Sequence, residues 1–253
     1  MGLRVVAATL FFPRGGSAFV TRALTRALPE HGVDVTLLSG SSRDASEGLG
    51  DAETFYEGLD VRAVDFTDAL HSDDPHRWTG PPGTAPLQPS FEARPGAPDQ
   101  IFAALDDGAY RLQVDAWARE LRAAGAAEAD ALFLHHLTPI NQAAAEAAPD
   151  VPVVVQLHGT ELLMLEELEA DGGAAWPHGP AWAQRLRAWA AAADRLLTAP
   201  GNRSRAAELL GVDADRLTPL PNGFDPEVFT RRPSDRLAVW RRALVDEPRG
   251  WRP

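Results

Sequence analysis

The chain has 253 residues, enough for one large domain or two small ones, and 45% of them are hydrophobic, which is ample for a core. Its formal net charge of −12 argues against nucleic acid as a partner, because binding to phosphates requires a basic surface. The absence of cysteine excludes disulfides and thiol chemistry. The N-terminus lacks a signal-peptide cleavage site and no apolar run reaches the roughly 20 residues of a membrane span, so we expect a cytoplasmic protein.

Short β-branched segments alternate with helical segments in the N-terminal part of the chain. The first predicted helix, 17–32, has apolar residues at helical spacing and ends at Gly32, which can serve as its C-cap. Residues 68–99 are rich in Pro, Gly and Asp and have no periodicity, so they predict a long loop, and loops of that length are usually functional or disordered. The strands predicted in this part are 3–8, 33–40 and 59–66.

Helical periodicity returns at 99–125, which predicts a long amphipathic helix. A Thr-Pro start signal opens a second helix at 138–150. The remaining strands are predicted at 129–136, 151–159, 194–200 and 215–223, and the remaining helices at 178–193 and 202–211.

Strands that alternate with helices form right-handed βαβ units and a parallel sheet covered on both faces. We therefore predict an α/β fold, a Rossmann-like parallel sheet of about seven strands with helices on both faces, over residues 1–224. Residues 225–253 are predicted to be an interdomain linker with one helix at 235–244. That helix is basic and amphipathic, and we expect it to pack against the first domain, with membrane contact at most peripheral.

Polar or flexible residues follow three of the predicted strands. Gly15 and Gly16 come just after the first strand, while His135, His136 and His158 stand at the ends of two later strands. In an open parallel sheet, ligands bind beyond the carboxyl ends of the strands. We therefore expect these residues to converge on one edge of the sheet and to form a binding site there.

The glycine pair precedes a predicted helix, where unpaired backbone N–H groups and the helix dipole favour an anion. Glycine also lets the backbone approach a phosphate closely. The sequence around Gly15 and Gly16 is not G-x-G-x-x-G, and the chain has no lysine for a Walker motif. A Rossmann dehydrogenase is therefore disfavoured.

The two adjacent histidines raise the possibility of a metal site. Neighbouring residues on a strand point to opposite faces, so His135 and His136 are not expected to share an ion, and we expect no metal. His135 is interpreted as a core residue. His136, close to Thr138, is interpreted as part of the lining of an acceptor cleft.

Some further side chains have two interpretations. Trp182 and Trp189 are seven positions apart on one helical face, which indicates core packing. Trp78, inside the Pro/Gly-rich loop, is the better candidate for stacking on an acceptor. Glu161 is either a carboxylate that interacts with a helix dipole or a contact to the acceptor.

Five segments occur in an order that resembles one family. They are the Gly-Gly loop, "HGVDVTLLS", "LHHLTP", "LHGTE" and "LPNGFDPEVF". Together they resemble the N-terminal half of a family-4 glycosyltransferase of the GT-B fold, over about residues 3–230. The resemblance implies two Rossmann-like domains facing each other across a cleft, with the N-terminal domain holding mainly the acceptor and the C-terminal domain holding the nucleotide-sugar.

The resemblance also implies roles for single residues. The glycine loop would approach the donor diphosphate, the strand-end histidine would face the donor sugar, and the Asn-Gly pair would mark the crossing between domains. The reaction would be hexosyl transfer from a nucleotide-sugar with retention of anomeric configuration, without a cofactor or metal. The implied catalytic residue is His158, and the implied donor-binding residues are Gly15, Gly16, Gly159, Asn222 and Gly223.

The family's donor-binding half carries a basic pair and two glutamates separated by seven residues, which we do not find after Asn222. We therefore expect little activity from the isolated chain and a donor domain supplied by a missing C-terminal segment or a partner chain. The expected ligands are a nucleotide-sugar and a glycan, lipid or small-molecule acceptor. The alternative is a non-catalytic glycan- or partner-binding Rossmann-like module.

Overall fold

The computed structural model describes residues 2–10, 15–44, 51–92, 98–170, 176–223, 230 and 233–246. The chain divides into two compact units, Met1–Asn222 and Gly223–Pro253, and each is described separately.

The described part of the first unit contains one sheet of seven strands, all parallel to their neighbours, in the order β3-β2-β1-β4-β5-β6-β7. This confirms the predicted Rossmann-like parallel sheet. The strands are β1 (Leu3–Thr9), β2 (Val33–Ser41), β3 (Asp60–Asp65), β4 (Ala131–His135), β5 (Val153–Gln156), β6 (Arg195–Thr198) and β7 (Leu217–Pro219).

Alternate side chains of the central strands pack on opposite faces of the sheet. Val6 and Ala8 of β1 belong to a large hydrophobic cluster on one face, whereas Ala7 belongs to a smaller cluster on the other. In β2, Leu38 belongs to the large cluster and Leu37 to the smaller one. Because both faces are buried, these strands are continuously apolar, which is typical of a parallel sheet covered by helices.

The helices differ from the predicted ones mainly at their ends. The first helix ends at Ala27 and continues as a 3₁₀ turn, Leu28–His31, while Gly32 closes the segment with a φ of 76°. The long helix begins at Asp107 because the Asp106 carboxylate accepts from Ala109 N–H (2.9 Å) and caps it. The helices of the first unit are α1 (Gly16–Ala27), α2 (Ala52–Phe55), α3 (Thr67–Leu70), α4 (Asp107–Ala123), α5 (Pro139–Ala147), α6 (Thr160–Ala170), α7 (Gly179–Ala192) and α8 (Arg203–Leu210).

The predicted long loop, 68–99, is exposed at many of its described positions, but residues 85–91 are all buried. Leu87 and Phe91 are buried, and α3 extends into the segment. Buried His76 holds it in place, since Nδ1 donates to Leu87 O (2.9 Å) and Nε2 accepts from Gln100 N–H (2.9 Å). Residues 93–97 of the predicted loop lie outside the described residues.

The second unit contains α9 (Arg236–Arg241), followed by a π-helical turn, Arg242–Asp246. The carboxylate of Asp235 caps α9 by accepting from Leu237 N–H (3.0 Å) and Ala238 N–H (3.2 Å). Neither α9 nor any other helix of the described ranges combines the length and apolar character needed to cross a bilayer.

Candidate functional site

A cavity of about 460 Å³ lies at the carboxyl edge of the sheet, where the sequence predicts a ligand. Residues that follow four different strands line it: Gly15 and Gly16 after β1, His136 after β4, His158 after β5 and Asn222 after β7. The glycine pair and His158 therefore share one cavity, which is the convergence expected from the sequence.

The glycine pair places the N-terminus of α1 at this cavity. Gly15 has a φ of 80°, a conformation that other residues adopt only with strain. A Cβ added at either glycine would meet only open space, so the backbone is bare on this side. Among the residues that the structure describes, no side chain caps the helix, and its first turn contains no acidic residue. The positive end of the dipole and the first N–H groups are thus suited to an anion.

Three histidines and one glutamate form what we name the imidazole cluster: His135, His136, His158 and Glu161. The ring centroids of His136 and His158 are 4.4 Å apart, and those of His135 and His158 are 5.3 Å apart. Nδ1 of His135 lies 3.0 Å from Nε2 of His158. Three buried or half-buried rings therefore contact one another directly beside the cavity.

Both adjacent histidines contact the same ring, so the expectation that they point to opposite faces does not hold. β4 ends at His135, and His136 has a φ of 66°, the only positive value among the described residues other than glycine. This left-handed bend breaks the strand alternation on which the expectation was based. His136 lines the cavity, as predicted, and His135 is 1% exposed, which fits the predicted core position.

Glu161 lies in the first turn of α6 and is fully buried. Its Oε1 accepts from the backbone N–H of His158 (3.0 Å), and its Oε2 lies 3.3 Å from both Nδ1 of His136 and Oγ1 of Thr160. Burial is the largest single influence and raises the pKa of Glu161, but the neighbouring His136 and His158 and the hydrogen bonds to the carboxylate together lower the pKa to about 2. Glu161 is thus an ionised carboxylate that holds the cluster, and it does not line the cavity.

His158 is held in the neutral form. Burial is the main cause that lowers its pKa to about 3, and the neighbouring His136 acts in the same direction, while Glu161 opposes them. Burial likewise lowers the pKa of His135 well below its ordinary value. At neutral pH the site therefore presents a neutral imidazole at His158, not a cation.

The low pKa of His158 predicts a loss of stability in acid. Because its pKa in the folded chain lies below its ordinary value of 6.5, the unfolded chain takes up the proton first as the pH falls. We expect the free energy of unfolding to decline between pH 6.5 and about 3, by up to about 1.4 kcal/mol per pH unit for this one proton. Urea unfolding of the wild-type chain and of His158→Gln over this range measures the effect.

In this experiment the free energy of unfolding of His158→Gln should decline less steeply with falling pH than that of wild type, because the variant lacks one group that takes up a proton on unfolding. The other groups that face the ring, His135, His136 and Glu161, remain in both proteins. His31→Gln, at an exposed position, is the control and should follow wild type. An equally steep decline in His158→Gln would contradict the low pKa of His158.

The structure does not bring every predicted residue to the cavity. Thr138, the N-cap of α5, is fully buried and lines no part of it. Trp78 packs against the cluster of Phe66, Ala69 and Leu87 and borders a separate pocket of about 70 Å³. Gly159, with a φ of 98°, joins β5 to α6 without lining the cavity.

Three more residues were singled out in the sequence, namely Gly223, Trp182 and Trp189. Gly223 is the first residue of the second unit and follows the cavity residue Asn222 in the sequence. Trp182 is fully buried and stacks on Phe102 with a centroid separation of 4.7 Å, and Trp189 is 6% exposed. The two tryptophans are therefore core residues, as predicted.

Several cavity residues were not singled out in the sequence. They come from α1, from the start of α6 and above all from the predicted long loop. For the loop residues, the length of the loop was the only signal in the sequence. These residues are Ser17, Val20, Thr160, Gln88, Pro89, Ser90, Phe91, Glu92 and Asp99.

A sequence profile described as Glycosyltransferase Family 4 matches residues 14–228, most of the chain. The chain belongs to glycosyltransferase family 4. A sequence search of curated proteins returned no match. The matched range includes the glycine pair, the imidazole cluster and Asn222, so every residue that lines the cavity lies within it.

Solved structures of similar fold cover nearly all of this family-4 chain. Sucrose-phosphate synthase from Thermosynechococcus elongatus has a TM-score of 0.55 at 12% identity, over 97% of this chain and 53% of its own. Starch synthase IV from Arabidopsis thaliana, bound to ADP and acarbose, has a TM-score of 0.52 at 14% identity, over 90% and 53%. Anabaena HepE with UDP and glucose has a TM-score of 0.51 at 15% identity, over 96% and 50%.

At these identities the similarity shows the fold alone. The chain spans about half the length of each of these structures. This agrees with the predicted fold class, one Rossmann-like half of a GT-B fold.

Proposed function

We propose that this chain is the acceptor-side half of a retaining glycosyltransferase, which transfers a hexosyl group from a nucleotide-sugar to a glycan, lipid or small-molecule acceptor. The observation that carries the proposal is the single cavity at the carboxyl edge of the sheet. It combines a bare helix N-terminus, which suits a phosphate, with a neutral imidazole, which suits a sugar hydroxyl, in a chain of family 4.

On the donor side, the N-terminus of α1 offers backbone N–H groups to the diphosphate of a nucleotide-sugar. His158 lies in the same cavity, where it can contact the sugar next to that diphosphate. Two structures of similar fold support this class of ligand, since HepE contains UDP and glucose and starch synthase IV contains ADP and acarbose.

On the acceptor side, the packed part of the long loop forms one wall of the cavity. Gln88, Ser90 and Glu92 contribute an amide, a hydroxyl and a carboxylate to the lining, and Phe91 contributes an apolar surface. Such a mixture suits an acceptor that carries several hydroxyl groups, because each hydroxyl both donates and accepts hydrogen bonds.

The proposal includes a second lobe, supplied by further chain or by a partner, that completes the donor site. Glu161 cannot act as a free carboxylate, because both of its oxygens already accept hydrogen bonds within the imidazole cluster. We propose that no metal is needed, since the end of α1 can meet the charge of the diphosphate.

The proposal is tested in two steps. First, the ¹⁵N-labelled chain is titrated with UDP-glucose and ADP-glucose while its backbone amides are followed by NMR. We expect the largest shifts at Gly15, Gly16 and Ser17, and shifts confined to other surfaces would contradict the donor assignment. Second, transfer is assayed in the presence of the donor lobe, and the anomeric configuration of the product is determined. Glycan binding without any transfer would instead identify a binding module.

The Gly16→Val variant tests the phosphate-binding role of the glycine loop. A side chain at this position meets only open space, so folding should be unaffected, but the valine would occupy the path of an approaching phosphate. We expect nucleotide-sugar affinity to fall about 10- to 100-fold, as for the loss of one hydrogen bond to a charged group of about 1.5–3 kcal/mol.

The control is Gly201→Val. Gly201 also has open space around its Cβ position but does not line the cavity, so its substitution should leave affinity unchanged. Both variants are compared with wild type in the same NMR titration. Equal affinity in Gly16→Val and Gly201→Val would remove the glycine loop from the donor site.

A further inference from the structure

His135 and His158 form a hydrogen-bonded pair of rings with one member inside the cavity lining and the other behind it. Nδ1 of His135 and Nε2 of His158 are 3.0 Å apart, so one of these nitrogens must carry the hydrogen and the other must accept it. His158 lines the cavity, whereas His135 is 1% exposed and does not. The tautomers of the two rings are therefore coupled.

Two arrangements satisfy this contact when both rings are neutral. In the first, Nδ1–H of His135 donates to Nε2 of His158, and His158 carries its own hydrogen on Nδ1. In the second, Nε2–H of His158 donates to Nδ1 of His135, and His135 carries its own hydrogen on Nε2. The two arrangements present opposite hydrogen-bonding groups to a ligand, Nδ1–H in the first and a bare Nδ1 in the second.

The surroundings of His135 discriminate between them. Nε2 of His135 is buried and has no hydrogen-bond partner among the residues that the structure describes. The second arrangement would place a hydrogen on that nitrogen and leave a buried donor without an acceptor. The first arrangement leaves only an acceptor, the lone pair of Nε2, without a donor. In folded proteins a buried donor without an acceptor is rarer than a buried acceptor without a donor.

We infer that His135 is a positioning residue, which donates from Nδ1 to His158 and fixes His158 in the tautomer that carries its hydrogen on Nδ1. His158 then acts as a hydrogen-bond donor to an oxygen of the ligand, and Nδ1 cannot act as a general base. The use of this donor by a sugar rests on the proposed function, whereas the state of the ring pair does not.

The rest of the imidazole cluster holds the pair in this geometry. Glu161 accepts from the backbone N–H of His158, and the ring of His136 packs against the ring of His158. The low pKa of His158 keeps the pair neutral over the ordinary pH range. Because the tautomer is set before any ligand binds, the donor requires no rearrangement on binding.

The experiment is a long-range ¹H–¹⁵N NMR spectrum of the histidine rings in the full chain without ligand. The chain has seven histidines, and His158→Gln assigns the signals of His158 by their loss. His76 supplies an internal reference for the Nδ1–H tautomer, because its Nδ1 faces the Leu87 carbonyl and its Nε2 accepts from Gln100 N–H. We expect His158 to show the same pattern as His76, and protonation of His158 on Nε2 would overturn the inference.

Two variants test whether His135 is the cause. His135→Leu removes the donor, and His158 should lose the Nδ1–H pattern. His135→Asn retains an amide N–H at the position of Nδ1, and the pattern should return. An unchanged pattern in His135→Leu, or identical spectra of the Leu and Asn variants, would overturn the role of His135. If a variant does not fold, the wild-type spectrum still decides the tautomer. Because no ligand is present, this outcome is independent of the proposed function.

Discussion

Replacement of Glu161 by alanine is expected to lower the free energy of unfolding by about 2–6 kcal/mol, because each of the two buried donors that it satisfies costs about 1–3 kcal/mol when left without an acceptor. Glu161 is fully buried, and its carboxylate binds the backbone N–H of His158 and Nδ1 of His136. Without it, these donors would stay buried with no acceptor. Urea unfolding monitored by circular dichroism measures the loss.

Two further variants separate the causes. Glu161→Gln keeps an oxygen for the N–H of His158 but removes the charge, so it should cost less than Glu161→Ala. Glu166→Ala is the matched control, since Glu166 lies on the same helix and pairs with Arg205 at the surface. An exposed pair of this kind contributes about 0–1 kcal/mol. If Glu161→Ala were no more destabilising than Glu166→Ala, the buried carboxylate would not hold the cluster.

The contribution of Glu161 should also depend on pH. Its folded-state pKa of about 2 lies below the ordinary value of 4.5, so its stabilisation is fully present above pH 4.5. It is lost as the pH falls from 4.5 to about 2, because the unfolded chain binds the proton first. The difference in stability between wild type and Glu161→Gln should therefore shrink in that interval.

The sheet could be predicted from the sequence because its strands are buried on both faces. Continuous apolar runs such as residues 6–8 can pack into two hydrophobic clusters at once, and such runs separated by helical periods allow little besides a parallel α/β fold. Element ends were less certain, because they depend on single hydrogen bonds. The start of α4 at Asp107, capped by Asp106, is one example.

The packing of the long loop could not be predicted, because it depends on contacts between residues that are distant in sequence. Its Pro- and Gly-rich composition has no period, yet His76 bridges Leu87 and Gln100 and so shapes the wall of the cavity. Trp78 illustrates the same difficulty. An aromatic residue in a loop can stack on a ligand or cover a local cluster, and here it covers the one around Phe66.

The position of the site could be predicted, but the connections within it could not. The carboxyl ends of parallel strands share an edge, which was sufficient to bring Gly15, Gly16 and His158 together. The left-handed backbone of His136 has no signal in the sequence, since such values are uncommon for residues other than glycine. With that bend, both adjacent histidines contact His158.

If the proposed function holds, His158→Ala in the chain combined with a donor lobe is expected to lower kcat about 10²- to 10³-fold, the usual effect of losing one hydrogen-bond donor aimed at developing charge. The ring has a pKa of about 3 and lines the same cavity as the N-terminus of α1, so any contribution to the proposed reaction would come from a neutral hydrogen-bonding group and not from a charge. Steady-state transfer of the hexosyl group measures kcat and KM separately.

Two conservative variants identify which ring nitrogen of His158 contacts the sugar. The side-chain amide of asparagine can take the place of Nδ1 of histidine, whereas that of glutamine reaches the place of Nε2. Because Nε2 of His158 contacts His135, we infer that Nδ1 is the ring nitrogen that contacts a ligand, so His158→Asn should retain part of the activity and His158→Gln should be as poor as His158→Ala. If kcat were unchanged in His158→Ala, His158 would have no part in the reaction. If His158→Gln were more active than His158→Asn, Nε2 would be the atom that contacts the sugar.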